Sequence, residues 1–294
     1  MSDLELAEGF TRWLAPAKLN LFLHVLGRRP DGYHELQTCF QFLDRCDLID
    51  LRVRTDGQVR RLGGLDIEPE SDLAMRAARL LQRSARSALG VDLLVHKRIP
   101  HGGGLGGGSS DAATVLRVLD RLWNTRLEGP RLAELGLSLG ADVPVFLEGR
   151  AAFAEGVGDR LTVLTGSDRP VEHNYLIINP NCAVSTAEVF TAPELTRNTP
   201  PITIRGFLET GGHNDCTATV RSRFPPVASA LDWLSRFGEP RLTGTGACVF
   251  LALPEAAAGE TILQQLPLGW TGFIARGLNE SPLLTQLQAR GDQA

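Results

Sequence analysis

The residues with the most chemistry in them form one run, Pro100-His101-Gly102-Gly103-Gly104-Leu105-Gly106-Gly107-Gly108-Ser109-Ser110. Six glycines fall within the seven positions 102–108, and ordering them costs backbone entropy that a merely structural loop seldom incurs. In return, glycine permits positive φ and close backbone approach, so that successive N–H groups converge on an anion. A helix follows at once, with Ala112, Val115, Leu116, Leu119, Leu122 and Trp123 at helical spacing. Its N-terminus adds unpaired N–H groups and the positive end of the helix dipole, an arrangement that holds phosphate. Ser109 and Ser110 are placed to cap that helix, to donate to a phosphate, or to sit beside Mg²⁺. The run reads as a phosphate-binding loop.

Which kind of loop it is stays open on these residues alone. Residues 102–107 match G-x-G-x-x-G after a strand, but well into the chain, and that motif by itself is weak. A Walker A loop ends in Gly-Lys-Ser/Thr, whereas this one ends Gly-Ser-Ser-Asp. A protein-kinase loop needs a downstream VAIK-type lysine, an HRD and a DFG, and none occurs.

Three further segments carry reactive types. Lys18 and Asn20 fall on one face of an alternating, strongly apolar stretch, residues 14–26, which makes them either a cleft wall or a solvated strand face. Asp142 stands in Gly140-Ala141-Asp142-Val143-Pro144, where Pro144 is expected to push Val143 out of the helical region. Held at such a corner, Asp142 either accepts a proton from a hydroxyl nucleophile or caps its own turn. Residues 242–250 form a second loop of small residues running into a strand, either a simple turn or a second backbone approach to the same site.

The elements that must position these groups read as follows. Residues 18–25 and 48–54 alternate as half-buried strands. Between them the Pro30-Asp31-Gly32 core marks a turn, and residues 57–64 read as a loop or hairpin. A helix is expected over 72–89, a strand over 91–99 closed by Pro100, and a helix over 132–139 ending near Gly140. Residues 153–164 look like a strand, a turn across Gly156-Val157-Gly158, and a second strand. The turn-rich stretch 165–170 is the expected linker. Beyond it come strands at 175–179, 248–253 and 272–276, a loop at 198–201, and helices at 227–237 and 255–266. The pattern is α+β in two halves, 1–165 and 166–294.

A chain of 294 residues, 43% hydrophobic and 22% charged, suits two compact domains sharing a cleft. A net charge of −4 carries no footprint for nucleic acid or a polybasic membrane patch. The five cysteines are scattered, with no CxxC pair and no zinc-ligand spacing, and read as reduced thiols. The acidic start lacks the basic and apolar regions of a signal peptide, and no apolar run reaches membrane-span length. A cytoplasmic protein is expected.

Three segments in this order, Pro16-Ala17-Lys18-Leu19-Asn20-Leu21, residues 100–113 and residues 242–250, resemble the three motifs of the GHMP small-molecule kinases. Within that family the match is nearest to the branch acting on a cytidyl-tagged alcohol. It is carried further by Arg29-Pro30-Asp31-Gly32-Tyr33-His34-Glu35-Leu36, Leu139-Gly140-Ala141-Asp142-Val143-Pro144-Val145-Phe146, Glu155-Gly156-Val157-Gly158 and Asn214-Asp215. The resemblance covers residues 14–287.

That resemblance implies a ribosomal-protein-S5-like N-terminal domain, a C-terminal α+β domain, and an active site between them. It implies ATP with Mg²⁺, the metal's ligands being unassigned, a small-molecule cytidyl alcohol as the partner, and a monomer or homodimer. Lys18 and Asp142 would be the catalytic pair. Residues 100–110, Lys97 and Asp72 would face the nucleotide, although the family usually has Asn where this chain has Asp72. Asn20, Tyr33, His34 and Phe190 would bind the acceptor, with Tyr33 and Phe190 sandwiching the cytosine and His34 reading its polar edge.

Overall fold

The structure is a computed structural model that describes residues 6–63, 68 and 70–291. Residues 1–5, part of the acidic start, and Gly64, the last residue of the expected 57–64 loop, lie outside the described residues.

Two long antiparallel strands make the frame, β1 (Thr11–Arg28) and β2 (His34–Arg54). The Pro-Asp-Gly turn joins them as expected, with Gly32 at φ 90° and its N–H donating to Arg29 O at 3.0 Å. Both strands run well beyond the alternating stretches, and β1 slips register three times, once between Asn20 and Leu23. Such bulges re-aim side chains beside functional sites. The expected half-burial does not hold for β1, because Lys18, Asn20, Phe22 and His24 are as buried as Leu19, Leu21, Leu23 and Val25. Part of the covering comes from residues 213–215, which clasp β1: Leu23 N–H donates to His213 O, and Asp215 N–H to Leu23 O, each at 2.9 Å.

The short β3 (Val59–Arg61) runs parallel to β4 (Gly90–His96), which in turn pairs with β2. Between them α1 (Leu73–Ala85) begins where periodicity placed it and ends four residues early, because Arg86 turns left-handed at φ 51°. Helices α2 (Gly107–Leu122) and α3 (Gly129–Leu139) follow, α3 closing at Gly140 as expected. The corner after Asp142 does not extend; it opens α4 (Val143–Glu148), with Pro144 in the first turn. Proline's missing N–H is an orphan there anyway and its fixed φ suits a helix, so Val143 stays helical. Helices α1 to α4 and the sheet enclose one core around Trp13, Phe42, Ile49, Met75, Leu93 and Leu119.

The expected hairpin forms from β5 (Ala152–Glu155) and β6 (Arg160–Val163), and a single 3₁₀ turn, Gly166–Asp168, occupies the linker. The second half opens with β7 (Asn174–Asn179) and three short helices, α5 (Thr186–Thr191), α6 (Ile204–Thr210) and α7 (Cys216–Arg223). These have too few turns to show a period. Next come α8 (Pro225–Leu234), β8 (Arg241–Leu242), β9 (Val249–Leu253), α9 (Ala256–Leu263) and β10 (Thr271–Leu278).

The two halves share one sheet. Gly277 and Leu278 of β10 pair with Leu43 and Phe42 of β2, giving a continuous order β3-β4-β2-β10-β7-β9-β8. The last helix, α10 (Pro282–Gly291), then returns to the first half. Its Leu283 joins the first core, and Gln286 accepts from Leu14 N–H at 3.0 Å and donates to Arg12 O at 2.8 Å. A further apolar cluster, with Leu19, Leu105, Phe153, Tyr175, Cys248 and Phe250, fills the junction. The architecture is the α+β arrangement that the sequence predicts.

Ile49 is fully buried in the first core. Ile49→Ala is expected to lower unfolding free energy by about 2–5 kcal/mol, from lost transfer energy plus a cavity, read as a reduced urea midpoint.

Candidate active site

Within the glycine run, Leu105 is an anchor. Its side chain is buried in the junction cluster and its carbonyl accepts from Lys18 N–H at 3.0 Å, fastening the loop to β1. Gly106 is the N-cap of α2 in the left-handed region, and Ser110 N–H donates to its carbonyl at 2.8 Å. The helix therefore starts at Gly107, so both serines lie inside its first turns and neither is the cap. The N–H groups of Gly107, Gly108 and Ser109 have no carbonyl within the helix to bond, and no side chain caps them. This leaves three unpaired donors at the helix start, where the sequence reading expects an anion.

The second small-residue loop is stitched to the first. Ala247 N–H donates to Gly102 O at 3.2 Å and Cys248 N–H to Gly103 O at 3.1 Å. Thr243 Oγ1 donates to Gly104 O at 3.2 Å and accepts from Asn20 N–H at 3.1 Å. Gly104 has φ +74°, and a Cβ there would lie 2.2 Å from Thr243 O. Asn214 fixes the second loop in turn, donating to the carbonyls of Leu242 and Gly244, each at 2.8 Å.

Lys18 and Asp142 meet beneath this double loop. The buried Lys18 ammonium has three donors and finds three acceptors: Asn20 Oδ1 at 2.5 Å, Gly104 O at 3.0 Å and Asp142 Oδ2 at 3.2 Å. Asn20 is oriented by donating to Thr38 Oγ1 at 2.9 Å, and Thr38 donates to Phe22 O. Lys18 is thus a cleft residue and not a solvated one. Asp142 does not cap its own helix; its carboxylate turns to Lys18 while staying 36% exposed. A cavity of about 310 Å³ is lined by Lys18, Asn20, Thr38, Gly104, Ser109 and Asp142, with Val157, Thr186, Phe190 and Gly244 among the other residues around it. A larger hollow of about 530 Å³ beside His213 holds neither member of the pair, so volume does not locate the chemistry.

Behind the loop, Lys97 is held between Asp47 and Asp111, at 2.8 Å from Asp111 Oδ2. Although the residue lies at an exposed strand end, its ammonium is paired on both sides. Burial works against its charge, but the two carboxylates outweigh it and raise its pKa. Asp47 Oδ1 also takes Arg98 N–H at 2.5 Å and Ile99 N–H at 2.8 Å, fixing the segment that leads into the loop. Burial, against the pull of Lys97, pushes the Asp111 carboxyl up to about 7. Ser110 Oγ and Asp111 Oδ1 are buried without a hydrogen-bond partner. These two oxygens are hard donors beside the glycine loop, and they fit Mg²⁺, which typically takes one or two protein oxygens and several from phosphate and water.

Asp72 sits at the start of α1, 4% exposed. One oxygen accepts from Ala74 N–H at 2.9 Å and the other is 3.2 Å from the Arg61 guanidinium, so both are engaged within the protein. Pro100 and the exposed His101 lead into the loop. His34 is buried, stacks on Phe190 with centroids 5.1 Å apart, and accepts at Nε2 from Arg197 Nε at 3.0 Å. Burial, with the charges of Arg197 and Arg28, holds the His34 imidazole below its ordinary pKa. Tyr33 is 66% exposed, and no ring contact joins it to Phe190 here. Sequence reading missed Thr38, Asp47 and Arg197, and took Thr243 only as part of the 242–250 loop, with no role for its hydroxyl. Their spacing carries no signal, because each acts through partners remote in the chain.

A model of the GHMP kinases N terminal domain matches residues 72–150. The 4-diphosphocytidyl-2-C-methyl-D-erythritol kinase of Alkalilimnicola ehrlichii is 54% identical over 283 residues, covering 96% of both chains. That of Halorhodospira halophila is 54% identical over 92% of this chain and 94% of its own. A crystal structure of 4-(cytidine 5'-diphospho)-2C-methyl-D-erythritol kinase superposes with TM-score 0.79 at 32% identity, covering 91% of this chain and 99% of that one. A mevalonate kinase structure superposes with TM-score 0.69 at 17% identity over 92% of this chain and all of its own, a likeness of fold.

Two loop variants separate packing from cradle. Gly104→Ala meets both a carbonyl and an unfavourable φ, and is expected to cost about 1–3 kcal/mol of stability together with ATP affinity. Gly108→Ala meets only ordinary contact with Leu73 at 3.6 Å. As a helical alanine it should hold or raise stability by up to about 1 kcal/mol. Its ATP KM should still rise, as measured by coupled assay beside thermal melting.

Proposed function

Because this chain belongs to the GHMP kinases, in their 4-diphosphocytidyl-2-C-methyl-D-erythritol kinase branch, we propose that its cleft phosphorylates the 2-hydroxyl of 4-diphosphocytidyl-2-C-methyl-D-erythritol at the expense of ATP. The products are the 2-phosphate and ADP, in the non-mevalonate route to isoprenoid precursors. The observation that carries the site assignment is the Lys18–Asp142 pair, 3.2 Å apart under both glycine loops.

The acceptor hydroxyl is tertiary, crowded and weakly acidic, so alignment and a nearby proton acceptor matter. Asp142 takes the hydroxyl proton as the alcohol oxygen bonds to the γ-phosphorus and the bond from phosphorus to the bridging oxygen of ADP breaks. Lys18 holds the Asp142 carboxylate in place and offsets charge on the phosphoryl oxygens. Such a transition state is loose, so the gain comes from positioning and preorganised charge. The free N–H groups of residues 107–109 hold the phosphates, with the hydroxyl of Ser109, which lines the cavity, in support.

Mg²⁺ would neutralise charge across the β- and γ-phosphates, and the unpartnered oxygens of Ser110 and Asp111 would hold it. Lys97, Pro100 and His101 would border the nucleoside. Asp72, its oxygens engaged, would act there by fixing the start of α1. Asn20 would orient Lys18 toward the acceptor, His34 would read the cytosine edge, and Phe190 and Tyr33 would close on the ring.

Among the described residues no helix is long and apolar enough to cross a membrane. All five cysteines are unpaired, with Cys248 pushed up to about 12 by burial; together with the need for ATP, this supports a cytoplasmic location.

An ATP-consumption assay tests the acceptor: turnover is expected with the cytidyl alcohol and not with mevalonate, homoserine or galactose. Asp142→Asn should lower kcat at least about a hundredfold, the loss of a general base. Its melting temperature should fall only modestly, because asparagine keeps an oxygen acceptor for Lys18 while losing the charge pair, and the Asp142 side chain caps no helix. Near-normal turnover would remove Asp142 from the mechanism.

A further inference from the structure

Arg197 lies in the second half of the chain, between α5 and α6, and spends its whole guanidinium near the acceptor residues. Nε donates to His34 Nε2 at 3.0 Å, across 163 positions of sequence. Nη1 donates to Leu195 O at 3.0 Å, and Nη2 to Phe190 O at 2.9 Å and Ala192 O at 2.6 Å. One planar cation thereby fixes both the imidazole of His34 and the backbone of the residue stacked on it.

The chemistry of that contact is directional. A guanidinium has donors only, so Nε2 of His34 must offer a lone pair. The ring is then neutral and its single proton sits on Nδ1. We infer that Arg197 is a positioning residue that sets base selectivity, by holding His34 as an Nδ1–H donor beneath the acceptor's base. This rests on the proposal that His34 reads a cytosine. A ring that can only donate suits N3 of cytosine, an acceptor; uracil presents N3–H there, and donor would face donor. Selectivity built on such a polar match exceeds what pocket shape alone gives. The two charged groups that face the imidazole, Arg197 and Arg28, both disfavour its protonation, as does burial. The neutral donor therefore persists through neutral pH.

The test compares the intact protein with R197Q and R197K. Lysine keeps the charge but lacks the planar fork, so it cannot serve the same four acceptors. The first readout is the ¹⁵N resonance pattern of the His34 imidazole, identified by its loss in His34→Asn. The parent should show the proton on Nδ1. In R197Q the proton should spread to Nε2, and the His34 titration should move up in pH. The second readout is kinetic. In R197Q, KM for the cytidyl alcohol should rise at least about fivefold, and preference over the uridyl counterpart should fall about tenfold. KM for ATP and kcat should stay within about twofold in that variant. R197K should fall between the two proteins.

Three results would overturn the inference: an Nε2–H tautomer in the parent, an unchanged base preference in R197Q, or a rise in KM for ATP matching that for the alcohol. His34→Asn separates the two readings. If it too keeps the base preference, His34 does not read the base and this inference falls with that assignment. If it loses the preference while R197Q keeps it, only the role of Arg197 is lost.

Discussion

The Lys18 side chain carries an ammonium into the interior of a sheet, where it is 2% exposed. An unpaired buried charge costs several kcal/mol, so acceptors must meet it on every side. They come from three places: Asn20 on the same strand, the Gly104 carbonyl in the glycine run, and Asp142 ahead of α4. Much of the local architecture serves that requirement. Thr38 orients Asn20, Thr243 pins Gly104, and Asn214 pins the loop that holds Thr243. In the proposed mechanism the partly exposed member, Asp142, is the one that exchanges a proton with the acceptor. A rigid charge paired with an accessible base is what an alignment-driven phosphoryl transfer asks of a protein.

The glycine run has two sets of demands on it. Read from sequence, its glycines serve an anion. In the structure a Cβ at Gly103 would lie 2.5 Å from Cys248 Sγ, and one at Gly106 would lie 2.8 Å from the Phe146 ring. Packing, across the two halves at Gly103 and within the first half at Gly106, therefore forbids side chains at positions where the proposed phosphate binding would also favour their absence. Gly108, with only ordinary contact around it, is the position where the ligand alone makes the demand.

What was legible in the sequence follows from how local the signal is. The glycine loop before α2, the turn before Tyr33 and the start of α1 are written in consecutive residues, and all three elements stand where expected. That Lys18 lines a cleft was only half legible: alternation placed it on a face with Asn20, but nothing local says that residues 213–215 clasp the same strand. The corner at Asp142 misled because the rule for residues before proline is statistical, and a helix's first turn is its exception. Arg197, Asp47 and the role of the Thr243 hydroxyl were invisible. Each matters through a partner in another part of the chain, and no short pattern encodes such a meeting.

The return of α10 bears on the order in which the chain acquires its shape during synthesis. The first half leaves the ribosome early, yet β1 is finished by Gln286, 272 positions beyond Leu14, and its core includes Leu283. Until those residues emerge, the backbone groups of Leu14 and Arg12 wait for their partner and a patch of the first core stays wet. Domains usually fold as units from the N-terminus during translation. In this chain the first half lacks these contacts until α10 is made, so the fold of its core closes only with a helix from the far end of the second half.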